Sequence, residues 1–192
     1  MVLNNIKEFK LNSLDNPKYI KSSLASYYQN DIKKSWEIVS AHDSVAILIY
    51  HKIKEKFILV KQFRAPVYMH NQDGVTVELC AGLVDKDKTL IEIAQEEIFE
   101  ECGYRVSLDN LKKVTTYNVN LGQSGNQQTL YYCEVDDSMR VSNGGGVDME
   151  LIEVVEISVN SMKELIFNET ITKASSLMFA FYWWMDSAEK SI

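Results

Sequence analysis

The sequence predicts an α/β protein in which helices cover both faces of a mixed sheet, an α/β/α sandwich. Short segments rich in β-branched and apolar residues, such as 44–50 (SVAILIY) and 56–62 (KFILVKQ), predict the strands. Between Thr89 and Gly103 the apolar residues have the spacing of an amphipathic helix. A chain of 192 residues that is 46% hydrophobic can bury such a core within a single domain.

Turn-prone and polar segments divide the chain into an ordered series of elements. Strands are predicted at residues 6–11, 22–28, 44–50, 56–62, 76–80, 113–118, 129–135 and 150–158. The polar turn HKIKE joins the third and fourth of these strands, which therefore predicts a hairpin. Two helices follow the last strand, at 161–167 and 173–186. The second is apolar nearly all round, so we expect it to be buried on more than one side.

The ends of the first long helix can be located from its capping residues. Thr89 followed three positions later by Glu92 forms a capping box, and Gly103 stands where a left-handed C-terminal cap is favoured. The apolar residues that face the core are Leu90, Ile93, Ala94 and Ile98. The sequence therefore predicts a helix with one apolar stripe and an acidic face beside it.

The acidic face carries a cluster of carboxylates. Glu97, Glu100 and Glu101 share one side of the helix, and Glu96 adds a fourth carboxylate with no Lys or Arg among them. Like charges at this spacing destabilise a helix unless a cation or solvent compensates them. Converging hard oxygen ligands suit Mg²⁺ or Mn²⁺. A solvated acidic face on an ordinary surface helix is the alternative interpretation.

The segment 82–104 resembles the signature box of the Nudix hydrolases, G-x5-E-x7-R-E-U-x-E-E-x-G-U, in which U is a bulky apolar residue. The positions that match are Gly82, Glu97, Ile98, Glu100, Glu101, Gly103 and Tyr104. Two positions depart from the pattern, because Lys88 replaces the first Glu and Glu96 replaces the Arg. In the family that Arg pairs with the box carboxylates and orients them. The resemblance implies the α/β/α sandwich that the strand and helix pattern also predicts.

Segments from about residue 28 to 184 resemble the branch of the family that splits nucleoside-diphosphate sugars such as UDP-glucose. They include ILVKQFRAPVY, VTVELCAGLVD and QTLYYCEV. The implied reaction is metal-dependent hydrolysis to UMP and a sugar 1-phosphate. ADP-ribose is an alternative substrate, but relatives that split it carry a proline in the loop after the box, where this chain has YNVNLGQSGNQ. A catalytically weak protein that binds nucleotide sugars is the third alternative, favoured by Lys88 and Glu96.

The resemblance also implies which residues hold the metal and act on water. Glu97, Glu100 and Glu101, with the main-chain carbonyl of Ala81, are the expected ligands of Mg²⁺ or Mn²⁺. Glu97 and Glu101 are thereby expected to be catalytic. Glu150, which follows three consecutive glycines in SNGGGVDM, stands where related enzymes place a mobile carboxylate that activates water. Asp148 is the alternative to it, and the glycines predict a flexible loop.

Three further residues are expected to bind substrate. Arg64 is the candidate clamp for the diphosphate, since a guanidinium presents forked donors to phosphate oxygens. Glu78, on the strand that leads into the box, is expected to hold the substrate or a water. In related enzymes a Trp such as Trp36 stacks on the base. The alternatives are a surface Arg, an outward-facing Glu, and a Trp that packs in the sheet or in a dimer contact.

Residues 1–43 are predicted to be an N-terminal extension of antiparallel strands used for dimerisation and base stacking, ahead of the hydrolase domain at 44–192. The homodimer is implied by the family and by the apolar C-terminal helix. The nucleoside-diphosphate sugar is the other expected partner.

Composition argues against several other classes. A net charge of −7 and a pI near 5.0 disfavour a nucleic-acid surface. The N-terminus has no apolar signal region, and the most apolar run, 177–185, is about half the roughly 20 residues that a membrane span needs. The three cysteines, Cys80, Cys102 and Cys133, lack metal-site spacing and predict buried free thiols in a reducing compartment, hence a cytoplasmic protein.

Overall fold

The computed structural model describes residues 2–147 and 149–189, which form a two-stranded hairpin, a seven-stranded mixed sheet and four α-helices. The strands are β1 (Lys21–Gln29), β2 (Ile32–Ser40), β3 (Ser44–His51), β4 (Lys56–Phe63), β5 (Val75–Glu78), β6 (Cys80–Leu83), β7 (Leu111–Asn118), β8 (Gln127–Val135) and β9 (Ile152–Ser158). The helices are α1 (Ala65–Asn71), α2 (Leu90–Cys102), α3 (Val159–Phe167) and α4 (Ser175–Glu189).

The sheet branches at its centre. Its main path runs β5-β4-β3-β8-β7, with β9 paired to β4 and β6 paired to β3. β3 and β8 run parallel, and the other pairs are antiparallel. Between β5 and β6 the chain passes through buried Leu79 and changes its partner from β4 to β3. This change of partner brings Ala81 and Gly82 into the centre of the sheet, opposite Ala46 and Val45 of β3.

The two faces of the sheet bury separate cores, which confirms the predicted sandwich. Successive side chains of a strand point to opposite faces. On β3, Val45, Ile47 and Ile49 pack with α2, whereas Ala46 and Leu48 pack with α3 and α4. The three cysteines are buried and free, as predicted.

Several local predictions differ from the structure. The predicted strand at 76–80 is divided into β5 and β6 by the change of partner, and α1 was not predicted. The predicted strand at 6–11 is wrong, because these residues are held by side-chain contacts beside α1 instead of by a sheet edge. Phe9 packs on Tyr68 with ring centroids 5.0 Å apart, and the nearby Asn4 amide donates to Asp73 at 2.7 Å.

The β1–β2 hairpin and the outer side of α4 expose apolar side chains. The hairpin forms its own two-stranded sheet, and its exposed apolar residues are Leu24, Tyr27, Tyr28, Ile32, Trp36 and Ile38. An isolated hairpin is marginally stable in water. Helix α4 buries Leu177 and Phe181 but leaves Phe179 and Tyr182 about half exposed, so in one chain it is not buried on every side. In the described ranges no helix is long and apolar enough to cross a membrane.

The glycine-rich loop before β9 is docked on the C-terminus of α2. The backbone N–H groups of Gly145 and Gly146 donate to the carbonyls of Glu101 and Glu100 at 2.9 and 3.1 Å. These are carbonyls that a helix end leaves without intrahelical partners. Gly144 has φ +66°, and a Cβ there would overlap the Glu101 carbonyl. In the structure these glycines therefore fix the loop against the helix, whereas the sequence suggested a flexible loop.

We predict that Gly144→Ala destabilises the fold by about 1 to 3 kcal/mol, because the side chain is strained at positive φ and displaces the loop from α2. The free energy of unfolding can be measured by denaturant titration. Gly122→Ala is the control, since a Cβ on Gly122 meets no atom within 4 Å. Equal stability of the two variants would contradict the docking role of Gly144.

Candidate active site

Helix α2 is bounded as the sequence predicts. The Thr89 side chain accepts a hydrogen bond from the Glu92 N–H, and the Glu92 carboxylate accepts one from the Thr89 N–H at 2.8 Å. Gly103 adopts φ 76° as the C-terminal cap. The acidic residues of α2 therefore lie on a helix that is fixed at both ends.

Glu101 is the most buried acid of the helix. Its side chain is largely enclosed, with the residue 5% exposed, and its Oε2 accepts a hydrogen bond from the Ala81 N–H at 3.0 Å. Burial raises the pKa of Glu101 to about 8, and the charges of Glu97 and Glu150 act in the same direction. The sequence assigned a role to the carbonyl of Ala81, whereas the contact seen here is made by its N–H.

Glu97 lies against the strand β6. A Cβ on Gly82 would overlap the Glu97 carboxylate, so the close approach of helix and strand requires glycine at this position. Burial raises the pKa of Glu97 to about 7, and the charge of Glu100 adds to the shift. Lys86 opposes the shift with its positive charge.

The donor set fits a hard divalent cation, although it is not a closed cage. No three His, Cys, Asp or Glu side chains of residues 2–147 and 149–189 are already arranged to hold a metal ion. Glu97 and Glu101 are nevertheless carboxyls whose pKa values burial raises to about 7 and about 8. A divalent cation between them would offset both burial and mutual repulsion, and carboxylate oxygens are the ligands it prefers.

Arg64 and Glu78 form a forked ion pair. Arg64 Nε and Nη2 donate to the two oxygens of Glu78 at 2.9 and 2.8 Å. The Thr76 hydroxyl also donates to Glu78, at 2.5 Å. Burial would raise the pKa of Glu78, but the hydrogen bonds and charge of Arg64 and the Thr76 bond outweigh it and lower that pKa. Arg64 and Glu78, which the sequence predicts to contact substrate separately, therefore bind each other.

The charges of the acidic cluster also affect the pKa of the Arg64 guanidinium. Its hydrogen bonds to Glu78 raise its pKa, and the charges of Glu101 and Glu150 raise it further. Arg64 is the N-terminal cap residue of α1, the short helix inserted between β4 and β5. The insertion therefore places a cation within electrostatic range of the carboxylates of α2.

Glu150 is turned back on its own loop. Its Oε2 accepts a hydrogen bond from the Val147 N–H at 3.1 Å, and its charge raises the pKa of both Glu97 and Glu101. The alternative acid, Asp148, lies outside the described residues. Glu150 is therefore close enough to affect the cluster electrostatically without a direct contact to it.

Trp36 lies on β2, in the two-stranded sheet that is separate from the seven-stranded sheet. Its side chain is 57% exposed, and its indole N–H donates to the carbonyl of Gly122 at 2.7 Å. It lines an open cavity of about 440 Å³ together with Leu24, Ser35, Glu37, Gly122 and Gln123. Within one chain the structure thus places Trp36 over the loop between β7 and β8.

The two departures from the box pattern form an ion pair with each other. The Lys88 ammonium contacts Glu96 Oε1, and Lys86 lies 3.4 Å from Glu96 Oε2. In the sequence, Lys88 and Glu96 are two separate departures from the pattern, whereas the structure pairs them and adds Lys86 to the pair. One feature could have indicated the pairing, since both substitutions reverse the sign of the residue that the pattern expects.

No family model matches the chain, but several known proteins are similar to it along most of its length. The chain is 34% and 35% identical, over 194 aligned positions, to the uridine diphosphate glucose pyrophosphatases NUDT14 of Bos taurus and Mus musculus, covering 86% of this chain and 87% of each relative. It is 32% identical over 148 positions to the GDP-mannose pyrophosphatase of Cronobacter sakazakii, covering 77% and 76% of the two chains. With the glutamates of the box and these relatives along most of its length, the chain belongs to the Nudix hydrolase family.

Proposed function

We propose that the protein hydrolyses the diphosphate bond of UDP-glucose and related nucleoside-diphosphate sugars, with Mg²⁺ or Mn²⁺ as cofactor and UMP and a sugar 1-phosphate as products. The observation that carries this proposal is the similarity to two UDP-glucose pyrophosphatases over 86% of the chain. The site agrees with that chemistry, since a buried acidic cluster on α2 faces the guanidinium of Arg64.

Glu97, Glu100 and Glu101 would hold the cation. A bound divalent cation supplies neutralisation of the diphosphate charge and makes water a better nucleophile. Ala81 contributes by holding Glu101 in place through its N–H, and its carbonyl is the fourth candidate ligand. The raised pKa values of Glu97 and Glu101 favour the proposal, because a cation would return both groups to the charged form.

Arg64 would bind the diphosphate. Glu78 occupies two of its five N–H donors, which leaves the remaining donors to contact phosphate oxygens. Glu78 then acts by holding the guanidinium plane in a fixed orientation, so its role is to position Arg64. This arrangement lowers the entropy that the clamp loses when substrate binds.

Glu150 would serve as the general base. The hydrogen bond from Val147 must break for its carboxylate to reach a water at the cluster. A carboxylate that accepts a proton from the attacking water becomes neutral, which also reduces its repulsion with Glu97 and Glu101. Asp148 remains the alternative for this role.

A second copy of the chain would cover the β1–β2 hairpin and complete the base site. The hairpin exposes a large apolar surface, and an isolated two-stranded sheet is only marginally stable in water, so both features favour a partner. Trp36 belongs to that hairpin, so residues 1–43 would combine dimerisation with base stacking. An aromatic face contributes about 1 to 3 kcal/mol per stacked base.

GDP-mannose is the second candidate substrate, since a relative of that name is 32% identical to the chain. The catalytically weak binding protein is less favoured now that Lys88 and Glu96 form a pair instead of two unpaired charges. The three buried thiols are free, which suits the reducing cytoplasm that we propose as the location.

We expect metal-dependent release of UMP from UDP-glucose in a panel that also contains UDP-galactose, GDP-mannose and ADP-ribose. Glu101→Gln should reduce kcat by at least about a hundredfold, because it removes a ligand charge while keeping the side-chain volume. Turnover can be followed by phosphate release after phosphatase coupling, with Mg²⁺, Mn²⁺ or chelator.

The matched control for Glu101→Gln is Glu164→Gln, an exposed acid on α3 that should leave turnover unchanged. A normal kcat for Glu101→Gln would place the metal site elsewhere. Absence of turnover for every nucleotide sugar, with a ligand-induced rise in melting temperature, would instead support the binding protein.

Arg64→Ala should reduce kcat/KM by a factor that corresponds to about 2 to 4 kcal/mol, through loss of charge-assisted bonds to the diphosphate. Glu78→Gln should have a smaller effect, since it keeps Arg64 and weakens only its orientation. Steady-state kinetics with UDP-glucose measures both. Arg105→Ala serves as the control for removal of a surface Arg, and a loss equal to that of Arg64→Ala would refute the clamp.

The double variant Leu24→Asp/Ile32→Asp should be monomeric, because it places one charge among the exposed apolar residues of each face of the hairpin. Sedimentation velocity measures the mass, with Ile53→Asp, in the exposed turn between β3 and β4, as control. Trp36→Ala should raise KM while leaving the mass of the assembly unchanged. A wild-type protein that stays monomeric at all concentrations would contradict the proposed dimer.

A further inference from the structure

The N-terminal segment contacts the short helix α1 and the turn that follows it. Phe9 packs on Tyr68, in the middle of α1, with ring centroids 5.0 Å apart. The side-chain amide of Asn4 donates to Asp73 Oδ1 at 2.7 Å, two residues beyond the end of the helix at Asn71. We call Asn4 and Phe9, with the residues between them, the N-terminal brace.

Helix α1 depends on contacts from outside itself. It has seven residues, and none of them is buried. A helix this short is not stable alone in water. The ring of Tyr68 contacts that of Phe63 in β4, at 5.5 Å between centroids, as well as that of Phe9. Because Phe63 directly precedes the segment that forms α1, Phe9 is the contact that ties this helix to a distant part of the chain.

Both contacts of the brace lead to the backbone of Arg64. The Arg64 carbonyl accepts a hydrogen bond from the Tyr68 N–H at 2.9 Å, and the Arg64 N–H donates to the carbonyl of Gly74 at 2.8 Å. Phe9 therefore packs on the residue that bonds the Arg64 carbonyl. Asn4 bonds the residue that precedes Gly74. The brace thus acts at both of the points that hold the main chain of Arg64.

The side-chain bonds of Arg64 do not fix its position by themselves. Its side chain is 45% exposed, although that of its partner Glu78 is only 15% exposed. An ion pair that reaches this far into water holds a long side chain weakly. The position of the guanidinium consequently depends on the backbone from which it extends. Glu78 acts on the clamp through the side chain, whereas the brace acts on it through the backbone.

We propose that Asn4 and Phe9 are positioning residues for the diphosphate clamp, because the N-terminal brace holds α1 so that Arg64 is in place before substrate binds. A group that is ordered in advance loses less entropy when its ligand arrives. The kinetic consequence rests on the proposed function, in which Arg64 binds the diphosphate. The order of Arg64 itself can be measured without turnover.

The first test compares Phe9→Ala with Phe9→Tyr. Loss of one aromatic pair should lower kcat/KM for UDP-glucose about three- to tenfold, mainly through a higher KM, because Arg64 must then be ordered during binding. Phe9→Tyr keeps the ring and should match the wild type, since Phe9 is 39% exposed and has room for a hydroxyl in water. Phe167→Ala is the matched control, because Phe167 is also an exposed ring that contacts a tyrosine, Tyr182, with centroids 6.5 Å apart.

A double-mutant cycle distinguishes positioning from a general loss of stability. When Phe9→Ala is made in the Arg64→Ala background, it should change kcat/KM by less than about a factor of two, because the group on which the brace acts is absent. A general loss of stability would lower kcat/KM by the same factor in both backgrounds. Asn4→Ala should follow the same pattern with a smaller loss, since its bond to Asp73 is exposed to water.

Hydrogen exchange measured by NMR tests the brace without substrate. The Nε–H of Arg64 donates to Glu78 at 2.9 Å, and its signal can be assigned from its loss in Arg64→Ala. Phe9→Ala should speed exchange of this Nε–H and of the Tyr68 amide about three- to tenfold. The amide of Ile93 in α2, which donates to the Thr89 carbonyl, should exchange as in the wild type. Phe9→Tyr and Phe167→Ala should leave all three rates unchanged.

The outcomes separate the brace from the proposed function. Faster exchange at Arg64, with a loss of kcat/KM that disappears in the Arg64→Ala background, supports the brace. Unchanged exchange in Phe9→Ala, or an equal kinetic loss in both backgrounds, would overturn it. If the wild type hydrolyses no nucleotide sugar, the proposed function fails, and the exchange rates of Arg64 and Tyr68 still decide for or against the brace.

Discussion

The structure depends on burying carboxylates of α2 beside the centre of the sheet. A buried carboxylate loses hydration, and like charges nearby increase the cost. Burial raises the pKa of Glu97 to about 7 and that of Glu101 to about 8, which is the direction this cost predicts. The N–H of Ala81 partly offsets this cost at Glu101, and the charge of Lys86 partly offsets it at Glu97. What remains makes this cluster a favourable place for a divalent cation.

The change of strand partner at Leu79 explains how Arg64 and the acidic residues of α2 come close to each other. Because the chain changes partner at Leu79, the residues just before and just after it belong to different strand pairs. Glu78 precedes this point and holds Arg64, whereas Ala81 follows it and holds Glu101. Only Leu79 and Cys80 separate Glu78 from Ala81, so the Arg64–Glu78 pair and the acidic cluster are linked through a short stretch of backbone, which limits their relative movement.

The features that sequence reasoning predicted were local or periodic. The caps of α2 depend on residues three positions apart, and the two cores follow from strand alternation, so both could be found from the sequence. The Arg64–Glu78 pair joins residues 14 positions apart, which meet because of how β4, β5 and β6 pair in the sheet. Local propensity does not predict that strand pairing. The segment at 6–11 has the composition of a strand, but its position beside α1 is decided by tertiary contacts such as that of Phe9. The ion pair of Lys88 and Glu96 depends on how the irregular loop between β6 and α2 folds, which local propensity does not determine.

Base recognition and assembly are connected through the position of Trp36. The residue is anchored by Gly122, in the loop between β7 and β8. Its hairpin contacts the same loop through the bond from the Val39 N–H to the Gln123 carbonyl at 2.9 Å. In the proposed dimer, the contacts that bury the apolar residues of the hairpin would also fix Trp36. Stacking on a base contributes more if the aromatic ring is already oriented when the ligand arrives, since ordering it on binding has an entropic cost. Formation of the dimer would then raise the affinity for nucleotide even if the partner chain contributed no polar contact to the substrate.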